Sequence, residues 1–335
     1  DITTMESMFS NCGMSCENLS STLDSWKTQA AALNKNNVPL GDISTVSNAY
    51  NQTGQAAITA LQTRGWTITG GTYAADCLTP ASWFTTVWDI TKPTNRTNNP
   101  NTTIAFPGVG TNYRIDWEDV DNPTLAGHHG TVTVPLSSAT SPYYLAVPSG
   151  ITKVRIKAYK ASGTFSAIDH SSVQIDRRRL IAVEQWGTTQ WATMSKAFSG
   201  CGNMDVTATD VPDLSACQIL FGMFSECTSL VNGNGSISGW QTANITSMYG
   251  MFYGATAFNQ TLNNWNTQNV TDMASMFQGA TSFNQPIGNW KTQNVTSMRG
   301  MFYGATSFNQ RLDSFKINDI TTMESMFSNC GMSCE

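Results

Sequence analysis

The sequence predicts a mixed, β-rich fold in which a β-sandwich is followed by an α/β solenoid, with a small helical cap. Three observations support this prediction. A phenylalanine recurs about every 25 residues from Phe198 onward, strand-like runs separated by turn residues occupy residues 78–180, and the segment Asp1–Glu17 is identical to Asp319–Glu335. The identical segments give a period of 318 residues, counted from Asp1 to Asp319. They indicate one period of a longer tandem array with a short overlap.

The first two segments are expected to end a preceding module. Residues 1–17 are predicted to form its last solenoid rung, with Phe9 in the place of Phe327, so both copies should share one backbone. Residues 18–72 are predicted to form the C-terminal cap of that solenoid, because a stack of repeats otherwise exposes its core at the open end. The predicted cap elements are a helix over Leu19–Leu33, a helix around Gly54–Arg64 and a strand over Trp66–Ile68.

Residues 73–180 lack the repeat and are predicted to form the sandwich. Several short strands at this spacing are typical of a β-sandwich of the immunoglobulin-like type. The predicted strands are Trp83–Asp89, Thr103–Phe106, Tyr113–Trp117, Gly130–Val134, Ile151–Ala158 and Val173–Ile175.

Two polar clusters in this region invite a metal or catalytic interpretation. Four closely spaced acidic residues could bind calcium through their hard oxygens, although a solvated acidic turn is the interpretation that we favour. These residues are Asp116, Glu118, Asp119 and Asp121. The pairs His128–His129 and Asp169–His170 lack a fixed third partner, and we interpret them as surface loop positions.

Residues 181–335 are predicted to form the solenoid. The recurring landmark is Phe198, Phe224, Phe252, Phe277, Phe302 and Phe327. In the clearest copy, Asn269–Trp290, Met and Phe residues of the first half fall on one face of a helical turn or short helix. Asn269 or Thr271 would cap that helix, and Gly279 would supply its left-handed end. Phe283, Gln285 and Ile287 of the second half alternate as in a strand.

Stacking of the repeats would bury apolar faces that one repeat cannot bury alone. We expect columns of Met276 with Met301, Phe277 with Phe302, and a third of Trp240, Trp265, Trp290 and Phe315. A copper or haem site is the alternative for the Met column, and core packing is favoured. Asn259, Asn284 and Asn309 share one position and are expected to form an internal ladder that satisfies backbone groups.

The eight cysteines suggest three disulfides in each period and an oxidising compartment. Cys201 and Cys227 occupy equivalent places on neighbouring rungs, which lie roughly 4.7–4.9 Å apart, so we predict that they are bonded. Cys12–Cys16, repeated as Cys330–Cys334, would form a local clasp, which leaves Cys77 for Cys217. Cys217 also fits a buried free thiol, and metal binding is the rival interpretation for the Cys12–Cys16 pair.

The composition favours an extracellular protein. Only 12% of the residues are charged, the net charge is −5, and Asn, Thr, Ser and Gly take the place of charged residues. This charge balance argues against a nucleic-acid partner, and no apolar run is long enough to span a membrane. The candidate glycosylation sites are Asn18, Asn51, Asn95, Asn101 and Asn234.

Several segments carry a resemblance to a known family. The runs MFYGATSFNQ and NVTSMRGMF, and IAVEQWGTTQW followed by VPDL, resemble the BspA-type leucine-rich-repeat surface proteins of bacteria and some protists. That resemblance covers Leu180–Glu335 and extends to Leu19–Gly70. It implies a curved leucine-rich-repeat-type solenoid on a secreted, surface-attached protein linked to adhesion. TNYRIDWEDVDN resembles the YxYxIDWGDG segment of PKD-like domains, with Glu118 in place of its first glycine.

We therefore expect a non-enzymatic, extracellular structural protein: a repeating module of a long cell-surface fibre whose neighbours are copies of itself. Adhesion to glycans or host proteins through the solenoid face, which carries Tyr249, Tyr253 and Tyr303, is the first alternative. A short subunit that polymerises without covalent links is another. No common catalytic motif occurs, and the acidic residues are too scattered to provide the paired carboxylates of a glycosidase.

Overall fold

A computed structural model describes residues 16–32, 39–42, 52–69, 82–93, 102–123, 125, 127–138, 141–160, 163–170, 176–317 and 319–333. The chain divides into two compact units, Asp1–Ser82 and Trp83–Glu335. The described part is β-rich, with mixed sheets and few helices, as the sequence predicts.

The first unit contains the two helices that the sequence predicts. Helix α1 spans Cys16–Ala32, strand β1 Pro39–Asp42, helix α2 Gln52–Thr63 and strand β2 Thr67–Thr69. The helices pack against each other, and β1 pairs with β2 in parallel. Leu23 of α1 and Leu61 of α2 are fully buried. Residues 1–15 of the predicted rung 1–17 lie outside the described residues, so the expected identity of its backbone with residues 319–335 stays a prediction.

The second unit begins with a seven-stranded sheet. Its strands are β3 Phe84–Asp89, β5 Gly108–Asp119, β6 His129–Ser137, β8 Lys153–Tyr159, β9 Thr164–Ile168, β10 Leu180–Gln185 and β11 Asp205–Val206. Its order is β11-β10-β3-β8-β5-β6, and β9 pairs with the N-terminal end of β5. Among the described strands of this sheet, β10 and β11 pair in parallel and the other pairs are antiparallel. Strands β4 Thr103–Phe106 and β7 Tyr143–Ala146 form a separate antiparallel pair.

Five predicted strands are confirmed, with β5 and β6 extending beyond their predicted limits. Strands β7, β9 and β10 were not predicted, and Val173–Ile175 lies outside the described residues. Strand β10 pairs with β3 on one side and with β11 of the repeats on the other. One continuous hydrophobic core consequently runs from the sheet into the repeats.

In the rung Asn269–Trp290 the short helix and the strand predicted from the sequence are not formed, which leaves the turn as the outcome for its first half. Within the described part of residues 207–333, no residue is α-helical or in a strand of a sheet ladder, and the one regular element is a short 3₁₀ helix, Ser236–Gly239. Each rung is built from turns. The N–H of Ser275 donates to the Arg299 carbonyl of the next rung at 2.8 Å, whereas the next N–H donates locally, from Met276 to Met273 at 3.3 Å. Because every second N–H bonds to the next rung, an α-helix cannot form there.

Two left-handed residues per rung set this turn pattern. They lie two residues before and two residues after the landmark phenylalanine, with φ between +54° and +76°. They are Lys196, Gly222, Gly250, Ser275, Gly300 and Ser325 before it, and Gly200, Glu226, Gly254, Gly279, Gly304 and Asn329 after it. Gly279 is thus left-handed as predicted, although it ends no helix. Asn269 and Thr271 are not helix caps, since their side chains donate to carbonyls of the preceding rung at 2.8 and 3.1 Å.

Candidate functional site

The repeats form a stack with three aromatic columns. The landmark phenylalanines lie ring over ring with centroid separations of 5.7–5.9 Å from Phe198 to Phe327. Trp240, Trp265 and Trp290 stack with separations of 6.2 and 6.4 Å. The Phe column is therefore confirmed, and the Trp column is confirmed from Trp240 to Trp290. The place of Phe315 in that column and the Met276–Met301 column stay predictions. Burial of a ring of this size contributes about 1.5–3 kcal/mol, so the columns dominate the stability of the stack.

One further aromatic column was not predicted from the sequence, since Phe283 was assigned to a strand. Phe258, Phe283 and Phe308 stack with separations of 6.1 and 5.9 Å, and none belongs to a strand. The ring centroid of Phe283 also lies 3.9 Å from that of Phe277 in the same rung. The repeated FNQ sequence carried the signal for this column, but period 2 was taken as a strand, whereas the side chains follow a turn.

The asparagine ladder is confirmed, but it lies at the surface of the stack. The N–H of Asn284 donates to Asn259 Oδ1 at 2.9 Å, and Asn309 repeats this bond to Asn284 at the same distance. Asn259 and Asn309 are exposed and Asn284 is half-buried, so the predicted internal position was wrong. The ladder closes the outer edge of the rungs, where backbone N–H groups otherwise face water.

A buried threonine row was missed by the sequence analysis. Thr242, Thr267 and Thr292 are each about 1% exposed, and each hydroxyl donates to the carbonyl of a residue in the next rung. Thr267 Oγ1 also accepts the N–H of Lys291 at 2.8 Å. The signal was present in the sequence as a Thr at a fixed distance after each column tryptophan.

Asparagine amides of the repeats are engaged in hydrogen bonds. Asn234 Nδ2 donates to the carbonyls of Thr207 and Ala208 at 2.9 and 2.7 Å, and its Oδ1 accepts the N–H of Ser236. A glycan on Asn234 would replace one of these donors. Asn18 lies in α1, where its side chain is not described, and Asn51, Asn95 and Asn101 lie outside the described residues.

The described cysteines are thiols. Cys201, Cys217, Cys227 and Cys330 are free, so the bond predicted between Cys201 and Cys227 is not formed in this structure. Cys227 Sγ instead donates to the Phe198 carbonyl at 3.1 Å. Cys217 is buried, as its alternative interpretation expects. Cys12, Cys77 and Cys334 lie outside the described residues, as does the side chain of Cys16.

The four acidic residues at the end of β5 bind to separate partners. Glu118 accepts from Arg155 and Lys157, both at 2.8 Å, while Asp119 lies 2.7 Å from His128 Nδ1. Burial raises the pKa of both carboxyls, but these hydrogen bonds outweigh it and lower each pKa below its ordinary value. No group of three or more potential ligands converges on one point in the described part of the chain.

The remaining acidic and histidine residues have local roles. Asp116 accepts from Arg114 Nε at 3.0 Å and from Thr131 Oγ1 at 2.7 Å. Asp121 accepts from Thr152 at 3.4 Å. His170 is only 3% exposed and its Nδ1 lies 2.6 Å from the Ala197 carbonyl, so its assignment to a surface loop was wrong.

Comparison with known proteins gives one match. A family model described as "Mycoplasma protein of unknown function, DUF285" matches residues 218–334, which lie within the stacked rungs. No curated protein and no solved structure matches the chain. Among the described helices, none has the length and apolar character needed to cross a membrane.

Proposed function

We propose that the chain is a structural module of an extracellular, cell-surface fibre in which copies of this module follow one another. We assign its rungs to a leucine-rich-repeat-type solenoid of the BspA kind, and its seven-stranded region to an immunoglobulin- or PKD-like sandwich. Residues 18–72 are assigned to the cap that closes the preceding solenoid. The identity of residues 1–17 with 319–335 supports the tandem order, because the last rung recurs before the cap.

The observation that carries this proposal is the uniformity of the rung-to-rung contact. Phe252, Phe277 and Phe302 repeat at 5.7 and 5.8 Å with interplanar angles of 5° and 4°. The hydrogen bonds between rungs repeat as well, from Phe252 to Met276 and from Phe277 to Met301, both at 2.9 Å. A chain whose contacts are the same at every step resists extension evenly along its length, as a fibre module requires.

The size of the native polypeptide tests the tandem order. Protein from its natural source, denatured and reduced, should migrate at several times the 318-residue period and above the 36.4 kDa of this segment. A mass near 36.4 kDa would exclude the covalent array and leave a polymer of separate subunits.

Pulling experiments test the mechanical role. A single chain held by its ends should resist extension until the rungs open in steps, and substitution of a buried ring such as Phe277 should lower the force. Extension of residues 186–333 without measurable force would contradict the proposed mechanical role. A variant at exposed Asn264, for which the structure shows no hydrogen bond, serves as the matched control.

Adhesion is the second candidate function, and one observation favours it. Tyr249, Tyr253 and Tyr303 remain about 40% exposed, the first two on one rung and the third two rungs further along the stack, where they offer polar and aromatic contacts. Serine occupies the Tyr253 position on three other rungs, as Ser199, Ser225 and Ser328. Replacement of the three tyrosines with serine should abolish glycan-array binding by a single module without loss of folding. Unchanged binding would exclude this face.

A further inference from the structure

The segment Asp176–Arg179 contains three consecutive arginines. In the structure its outer and middle residues face different surroundings. Asp176 and Arg179 turn inward, their side chains are each about 1% exposed, and Arg179 Nη1 lies 3.6 Å from Asp176 Oδ1. Asp176 Oδ2 accepts the N–H of Ala105 at 2.8 Å, and Arg179 donates to the carbonyls of Thr103 and Lys92 at 3.0 and 3.2 Å. The buried pair thus fixes the turn that carries Arg177 and Arg178.

The two middle residues of the run line a cleft beside the first rungs. The cleft encloses about 570 Å³ and is bordered by Lys92, Arg177, Arg178, Glu226, Gly200 and Thr228. This volume falls within the roughly 300–1,000 Å³ of small-molecule sites. Three cations and one carboxylate face it, in a protein whose net charge is −5. The cleft is therefore a local positive site on a negative molecule.

These charged groups are not neutralised by neighbours. No ion pair joins Lys92, Arg177, Arg178 or Glu226 to another residue in the described part of the chain. Arg177 Nε is buried and has no hydrogen-bond partner there. An unsatisfied buried donor costs roughly the desolvation of the group, and a bound acceptor would recover that cost.

Two left-handed positions of the rungs border this cleft. At Gly200, with φ of +76°, an added Cβ would lie within 2.7 Å of the Arg177 guanidinium, which would have to move. Glu226 has φ of +60° at the position where Gly254, Gly279 and Gly304 stand on later rungs. A left-handed glutamate is strained relative to glycine, as are the left-handed Ser275 and Asn329 of other rungs. Glu226 therefore adds a carboxylate at a cost in backbone conformation.

We propose that this cleft binds an acidic saccharide, with the guanidinium groups of Arg177 and Arg178 holding its carboxylate. Guanidinium groups bind carboxylates with two parallel hydrogen bonds. Glu226 and the side-chain oxygen of Asn203 accept hydrogen bonds from sugar hydroxyls, since Asn203 Nδ2 already donates to the Arg178 carbonyl at 2.7 Å. A second anion would meet Glu226, which limits the ligand to one acidic group at this point. The inference does not depend on a tandem array.

Saturation-transfer NMR on the whole chain tests the proposal with glucuronic acid and glucose as probes. Glucuronic acid should bind, glucose at least about tenfold more weakly, and Arg178→Gln should weaken glucuronic acid by about tenfold or more, as expected for the loss of a charged hydrogen bond. Inorganic sulfate should compete, because it occupies the same guanidinium groups. Gly200→Ala should also reduce binding by displacing Arg177.

The control is Arg311→Gln, which removes an exposed guanidinium paired with Asp313 outside the cleft and should leave binding unchanged. Arg178 is itself exposed, so its substitution should preserve the thermal midpoint. Equal binding of glucose and glucuronic acid would overturn the proposal. Absence of glucuronic acid binding at millimolar concentration, or binding by folded Arg178→Gln equal to that of the unsubstituted protein, would overturn it as well.

Discussion

The backbone N–H of Asn309 donates to Asn284 Oδ1 at 2.9 Å, so a side chain of one rung satisfies the main chain of the next. Gln310 Nε2 donates to the same oxygen, also at 2.9 Å. The outer edge of the stack thus depends on side-chain oxygens, whereas the Met–Phe segment uses backbone carbonyls. This division explains why asparagine recurs at one position.

Removal of that oxygen should weaken the stack. Asn284→Ala removes the acceptor of the Asn309 N–H and one of the two acceptors of Gln310 Nε2, and should lower the free energy of unfolding by about 1–2 kcal/mol. Urea denaturation followed by tryptophan fluorescence measures the change. Asn264→Ala, at an exposed site without a hydrogen bond in the structure, should change it by less than about 0.5 kcal/mol. Equal effects at both sites would argue against the ladder.

Loss of a central ring should cost more than loss of a terminal one. Phe277 is fully buried and contacts rings above, below and beside it, so Phe277→Ala should destabilise by about 3–5 kcal/mol. Phe327 ends the described column and is 38% exposed. Phe327→Ala should therefore cost much less in the same denaturation measurement. Comparable losses would mean that residues outside the described ranges cover Phe327.

Substitution of glutamate by glycine should stabilise one position. Glu226→Gly removes a left-handed non-glycine residue and should raise the free energy of unfolding by about 0.5–1 kcal/mol, while it reduces binding in the basic cleft. Gln278→Gly, next to Gly279 but outside the left-handed region, should lower stability by about the same amount. Differential scanning calorimetry of the two variants shows whether each substitution raises or lowers the stability. A destabilised Glu226→Gly would refute the strain argument.

Stability should depend on pH through His170. Burial lowers the pKa of His170 to about 4, against an unfolded value near 6.5, although the Ala197 carbonyl and the nearby carboxylates of Asp169 and Asp176 oppose that shift. The unfolded chain binds the extra proton first, so stability is full above pH 6.5 and falls by about 3 kcal/mol as the pH drops to 4. His170→Asn can keep the hydrogen bond to Ala197 without titrating. This variant should show a shallower slope across that window in urea titrations.

The cysteines should differ in reactivity. Burial raises the pKa of the Cys201 and Cys227 thiols, whereas Cys330 is partly exposed. Alkylation of the native protein with iodoacetamide, mapped by mass spectrometry, should modify Cys330 long before Cys201 or Cys227, because the thiolate is the reactive form. A linked peptide containing Cys201 and Cys227 would show instead that the disulfide expected from the sequence forms in solution.

The long repeat spacing predicted the fold better than the short local periods did. The recurrence of Phe277 and Trp290 predicted the stacked columns, because equal spacing brings identical side chains together whatever the local backbone is. The strand within a rung was predicted wrongly from a period of 2, and the period of about 3.6 left a helical turn and a short helix open, of which the helix is not formed. The left-handed positions that determine the backbone path of a rung are occupied by Lys, Ser and Glu as well as Gly. Residue type alone therefore did not identify them.

The candidate binding residues were harder to predict. Arg177 and Arg178 were visible as a basic run, but their separation from the buried pair Asp176 and Arg179 depends on contacts with β4 that lie far away in sequence. Glu226 became informative only through its φ angle. The acidic residues Asp116, Glu118 and Asp119 looked like one cluster, yet the pleat of β5 and its neighbouring cations separate them.

Each rung folds a long stretch of chain into a short distance along the stack. Neighbouring phenylalanines lie less than 6 Å apart, although 25 residues connect Phe277 to Phe302. Fully extended, that stretch would reach roughly 80 Å at about 3.3 Å per residue. Each rung that opens under load would release this hidden length and dissipate energy before any covalent bond is strained. In the proposed tandem array, this stepwise opening would limit the force on the rest of the polymer.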